Sequence, residues 1–212
     1  VPIPVPIQLL GPDGVPIPFG PDAQDKDAPE QLLVLDGKER SFTLSSQNVD
    51  VEALQSAVPS WLRGFSAPVT LQDDLSVDER LHLAAYDSDL FNRWDALQNL
   101  LTKAILARLA SAADTELEAK IADSYKMVLS DKSVNAEFQA LMMRLPSQAV
   151  LEAAHIPADP PAIFTQKLAL QAQLSTMLSS EITALYKDFR PLETAYSGAR
   201  ALQNMILSWG GS

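Results

Sequence analysis

Proline is distributed very unevenly along this chain: ten of its 15 prolines lie at or before Pro68, and only five follow. Proline lacks a backbone N–H and breaks helix interiors, so a segment this rich in it cannot be helical throughout. It reads as short strands and turns, while the proline-poor remainder is free to be helical. The break near Leu71 predicts two domains, over residues 1–74 and 75–212.

In the first part, residues 4–10 read as a strand whose early prolines suit an edge or a strand start. Gly11-Pro12-Asp13-Gly14 reads as a hairpin turn, with residues 15–19 as the return strand and 20–30 as a polar loop. Residues 31–35 and 40–44 give a third and fourth strand, and 65–71 a fifth, with Pro68 marking an edge or bulge. Short strands at close spacing with turn chemistry predict an N-terminal immunoglobulin-like antiparallel β-sandwich. A complete one takes about 100 residues and seven strands, so this one is expected to be truncated, with an unpaired edge near residues 1–10.

From Ser76 the apolar period becomes helical. Ser76 and Glu79 have capping-box spacing at the head of a short helix over 78–86. Asp87-Ser88-Asp89 offers an N-cap for a long helix with the stripe Leu90, Trp94, Leu97, Leu101, Ile105 and Leu109. Asp114 opens another, lined by Leu117, Ile121, Tyr125, Val128 and Leu129. Shorter helices follow over 134–145, stopped by Pro146, and over 147–154. The prolines at 157, 160 and 161 precede a helix of roughly 25 residues carrying Ile163, Leu168, Leu170, Leu174, Leu178, Ile182 and Leu185. A last helix is expected over 193–209, after Pro191. About six helices with short connections predict an all-α antiparallel array, making the chain α+β as two domains.

Chemistry is scarce in this sequence. The net charge of −11 repels phosphate backbones and anionic headgroups, so neither nucleic acid nor membrane is an expected partner. No apolar run approaches the roughly 18 residues a membrane span needs, and no N-terminal signal pattern is visible. With no cysteine, thiolate chemistry is excluded; this does not fix the compartment, but it is compatible with a reducing cytoplasm, which is the expected location. His82 and His155 are the two histidines, and neither sits in H-E-x-x-H. Nucleophile elbows and phosphate-binding glycine loops are missing too, and carboxylate pairs such as Asp73-Asp74 read as solvated. No catalytic, metal or cofactor-binding residue is assigned. The start at Val1, without Met, suggests a piece of something longer.

One cluster stands out: Asp89-Leu90-Phe91-Asn92-Arg93-Trp94-Asp95-Ala96-Leu97-Gln98. Phe91, Trp94 and Gln98 occupy adjoining helical positions, flanked by Arg93 and Asp95. Its functional reading is a ligand-recognition patch. The favoured reading is inter-domain and structural, with Phe91, Arg93, Trp94 and Gln98 packing and bonding at a joint.

This cluster resembles the Phe-x-Arg-Trp-x-x-x-Gln helix of the aminopeptidase N (alanyl aminopeptidase) family of zinc aminopeptidases. Val58-Pro59-Ser60-Trp61-Leu62-Arg63-Gly64-Phe65-Ser66-Ala67-Pro68-Val69 resembles the stretch that ends that family's β-sandwich domain. Leu145-Pro146-Ser147 and Asp159-Pro160 match in the right order. The resemblance implies the β-sandwich domain and the start of the C-terminal helical domain, acting as a spacer and as an active-site-covering scaffold. It implies zinc in the parent enzyme but none here, because the family's His-Glu-x-x-His and Gly-x-Met-Glu-Asn motifs have no match. The implied partners are the catalytic domain and remaining helical domain of the parent, together with its peptide substrate. On its own the chain is expected to be inactive. The alternatives are a helical protein-interaction module and an independent carboxylate hydrolase.

Overall fold

In the computed structural model, which describes residues 2–21, 28–46, 49–187 and 197–210, strand β1 (Ile3–Leu10) is the axis of the main sheet. The chain divides into two units, Val1–Asp95 and Ala96–Ser212.

In the first unit, β1 turns through Gly11–Gly14 into β2 (Pro16–Ile17), pairing Leu9 with Ile17. The Gly14 N–H donates to Gly11 O at 2.9 Å, and the Val15 N–H donates to Asp13 Oδ1 at 3.0 Å. Gly14 has φ +77°, the left-handed geometry that favours glycine. β3 (Gly20–Pro21) pairs with β5 (Leu44–Ser45) in a second, two-stranded sheet. β4 (Glu30–Leu35) lies antiparallel along β1 from Ile3 opposite Leu35 to Gln8 opposite Glu30. β6 (Val58–Trp61) covers the other side of β1 only from Ile7 to Leu10. Pro4 and Pro6 cannot donate to β4, so their missing N–H groups fall on the side of β1 that has no paired strand before Ile7 among the described residues. Ile7, Leu9, Ile17, Phe19 and Leu33 form the core, with Leu44, Leu54 and Trp61 packed against it.

Three expectations change here. The fifth strand is β6 rather than 65–71, which is a 3-10 turn over Arg63–Phe65 followed by irregular chain. Pro59 is accommodated because β6 pairs only with β1 among the described residues. The open edge at 1–10 shrinks to the first half of β1, since β6 occupies the rest. Residues 40–43 are irregular: Arg40 Nη1 donates to Val34 O and Asp36 Oδ2, each at 3.0 Å, and its guanidinium lies over the Phe42 ring. A short helix, α1 (Val51–Gln55), capped by Asp50, was not anticipated.

The helices begin with α2 (Val77–Tyr86), whose Ser76–Glu79 capping box forms as expected. α3 (Leu90–Leu109) crosses the division between the units. Asp114 caps α4 (Thr115–Ser130), which buries its whole expected stripe, Leu117, Ile121, Tyr125, Val128 and Leu129. α5 (Ala136–Met142) and α6 (Gln148–Ala154) are capped by Asn135 and Ser147. Gln139 Nε2 caps the end of α4 by donating to Val128 O and Leu129 O. The expected long helix is two, α7 (Pro160–Met177) and α8 (Ser179–Lys187), separated at Leu178, which is fully buried. α9 (Ser197–Gly210) ends the described chain, and the predicted start of that helix at 193 lies outside the described residues. In the second unit α5 and α8 pack on α9, α6 packs on α7, and α4 packs on α5, α7 and α8. Leu168, expected on the apolar stripe, is instead exposed.

Candidate functional site

The densest polar constellation of the first unit gathers around Arg63. The chain reaches it through a turn in which Leu62, Gly64 and Phe65 all have positive φ, at 51°, 65° and 53°. Left-handed geometry costs a non-glycine residue about 1 kcal/mol or more. Partners hold the turn: the Gly64 N–H donates to Asp89 Oδ2 at 2.6 Å, and Ser66 Oγ to Pro4 O at 3.2 Å.

Arg63 itself is only 9% exposed, and each guanidinium nitrogen is engaged. Nε donates to Glu30 Oε2 at 2.7 Å, Nη1 to Asp87 Oδ1 at 2.6 Å and Ser60 Oγ at 2.9 Å, and Nη2 to Ser88 Oγ at 2.7 Å. Burial acts to lower its pKa, but the bonds to Glu30 and Asp87 outweigh this and raise it above the ordinary value. The fork geometry of arginine suits such a cluster, where lysine offers a single point charge.

The segment read from sequence as an N-cap does two jobs. Asp89 Oδ1 accepts from the Phe91 and Asn92 N–H groups and so caps α3. Asp87 is fully buried and accepts both from Arg63 and from the Asp89 N–H. Asn92 Nδ2 then reaches across to Ser60 Oγ and Trp61 O, both at 2.8 Å. The C-cap of α2 and the start of α3 are thereby bonded to β6 and the turn after it.

The residues singled out from sequence are divided between the units. Phe91 is 40% exposed, with its ring centroid 5.2 Å from Phe65 and 5.7 Å from Trp94. Arg93 is buried and donates Nε to Ala84 O in α2 at 3.1 Å. Trp94 Nε1 is buried with no hydrogen-bond partner among the described residues. Gln98 belongs to the second unit, where Nε2 donates to Arg144 O at 2.8 Å, just past α5. Sequence reasoning missed Arg63, Ser60, Asp87 and Asn92 as site residues. Gly64 directly after Arg63 was the available signal, since glycine often marks a left-handed turn.

A cavity of about 410 Å³ also lies in this unit, walled by Ile7, Leu9, Leu44, Leu54, Pro59 and Trp61. Its polar lining is Ser45, Ser46 and Gln55, and it continues the apolar space over the sheet.

The His82 ring packs 5.0 Å from Tyr86, with Nε2 buried and unpartnered among the described residues, and His155 is the C-cap of α6. Among the described residues no three His, Asp or Glu side chains group so as to hold a metal ion.

Residues 77–211 match a domain of unknown function (DUF3458_C) described as ARM repeats, and residues 1–74 match a domain of unknown function (DUF3458) with an Ig-like fold. Aminopeptidase N of Caulobacter vibrioides is 36% identical over 152 residues, covering 69% of this chain and 18% of that protein. Aminopeptidase N of Escherichia coli is 33% identical over 132 residues, covering 61% of this chain and 15% of that protein. The crystal structure of Legionella pneumophila aminopeptidase A in complex with aspartic acid superposes with a TM-score of 0.74 at 25% identity, over 98% of this chain and 24% of that one. The chain thus spans 15–18% of the length of these curated relatives.

Proposed function

Because the chain belongs to the DUF3458_C family of ARM-repeat domains, and to the Ig-like DUF3458 family through its first part, we propose that it is a non-catalytic structural portion of a zinc-dependent aminopeptidase that removes N-terminal residues from peptides. The observation that carries this reading is the likeness to aminopeptidase N at 36% identity, with Ig-like and helical parts in one order. The sandwich serves as a spacer. The helical domain helps to cover the active site; Phe91, set against Phe65, works at the joint between the two with Trp94 beside it, while the bonds of Arg93 to Ala84 and of Gln98 to Arg144 brace the helical part itself. In this reading the zinc of the parent enzyme belongs to other residues of the parent chain, because no H-E-x-x-H pair occurs in this sequence. The partners are the catalytic domain and remaining helical domain of the parent chain, and the peptide that passes them.

The location proposed is cytoplasmic, with no membrane or nucleic-acid partner. The lack of cysteine is compatible with that compartment, and the net charge of −11 disfavours the anionic surfaces of nucleic acids and membranes. The test is reconstitution with the remaining domains of the parent aminopeptidase, expressed without residues 1–212. The chain is expected to associate with them and restore peptide turnover. Failure to associate, or full activity of those domains without the chain, would overturn the proposal.

A further inference from the structure

The two family matches meet between residues 74 and 77, where a hinge between two domains is the natural expectation. The bonds around Arg63 argue against one. Its guanidinium holds Glu30 at the start of β4 and Ser60 in β6, and on the other side Asp87 and Ser88, which follow α2. Gly64 N–H to Asp89 and Asn92 to Ser60 and Trp61 O bridge the same seam. A Cβ on Gly14 would come within 2.7 Å of Tyr86, so the first hairpin also abuts the end of α2. The compact unit correspondingly runs to Asp95.

We propose that Arg63 is a positioning residue that fastens the sheet to the end of α2 and the first turn of α3, so that β1, β4, β6, α2 and that first turn open as one cooperative body and the stretch around 74–77 is not a hinge. The fully buried Asp87 carboxylate makes opening α2 alone unfavourable, because it would separate that charge from Arg63. This inference rests on the first unit alone and holds whether or not the parent is an aminopeptidase.

The test is native-state hydrogen exchange, read by mass spectrometry across a denaturant series, on the whole 212-residue chain. In the wild type, amides of β6 and of α2 are expected to exchange through one common opening. Arg63→Lys keeps the charge but loses the fork, and α2 is expected to exchange about tenfold or more faster than β6. Arg108→Lys, in the second unit, should leave the two elements together. If Arg63→Lys does not fold, Ser88→Ala, which removes the bond from Arg63 Nη2 and the one that Ser88 Oγ donates to Gln8 Oε1 in β1, should give the same split in smaller degree. Separate openings in the wild type, or variants that speed both elements equally or neither, would overturn the proposal.

Discussion

Arg108 and Glu118 meet through two parallel hydrogen bonds, Nε to Oε1 at 2.6 Å and Nη2 to Oε2 at 2.7 Å, joining the end of α3 to the start of α4. Glu118 is fully buried, so the carboxylate depends on this partner. Removing one half of such a pair leaves the other charge buried and uncompensated. Arg108→Ala is expected to lower stability by about 3 kcal/mol in urea unfolding, whereas Lys126→Ala, at an exposed pair with Asp123, should leave the urea midpoint essentially unchanged.

Tyr125 is fully buried against Trp209, with ring centroids 5.5 Å apart, and its hydroxyl has no hydrogen-bond partner among the described residues. Burial pushes the phenol well above its ordinary pKa. A pKa raised on folding gives stability that is complete below the unfolded value, near 10, and is lost as pH rises beyond it. Tyr125→Phe should therefore leave stability at pH 7 unchanged or up to about 1 kcal/mol higher and should flatten its alkaline decline, as read by thermal melts from pH 7 to 11.

Glu79 is tied to Ser76 in both directions, its Oε2 accepting from the Ser76 N–H at 2.7 Å and its own N–H donating to Ser76 Oγ at 3.2 Å. Its bonds to Ser76 hold its pKa below the ordinary carboxylate value. A depressed pKa gives stability present above the unfolded value and lost as pH falls through the folded one. Ser76→Ala is expected to cost about 1 kcal/mol. The same variant should move the Glu79 carboxyl titration, followed by NMR, back upward.

Gly14 and Gly64 share left-handed backbones but not surroundings. A Cβ at Gly14 would overlap Tyr86, whereas one at Gly64 would meet nothing within 4 Å. Gly64→Ala should cost only the conformational strain, about 1 kcal/mol, and Gly14→Ala at least about twice that, as compared by chemical denaturation.

What the sequence made legible was what local chemistry controls. The Gly11–Gly14 turn, the Ser76 box and the Asp114 cap are each set by residues within three or four positions, and each forms as read. The stripe of α4 was legible because a 3.6-residue period was unbroken along it. What was hidden depends on distant partners. β6 carries Pro59 and looks unlike a strand until β1 lies beside it. The break at Leu178 has neither proline nor glycine to mark it. Gly64 marked the turn beside Arg63, but nothing local marked the partners of Arg63, because Glu30 and Asp87 are 33 and 24 residues away. The aromatic pair Phe91 and Trp94 was visible in the sequence, while the polar cluster around Arg63 was not.

The central claim, a scaffold without its own chemistry, is tested most directly by measuring zinc content together with hydrolysis of an alanyl chromogenic substrate on the purified 212-residue chain. The account predicts sub-stoichiometric zinc and no turnover above background. Stoichiometric zinc with turnover that a chelator abolishes would contradict it, and would require a metal site built around His82 or His155.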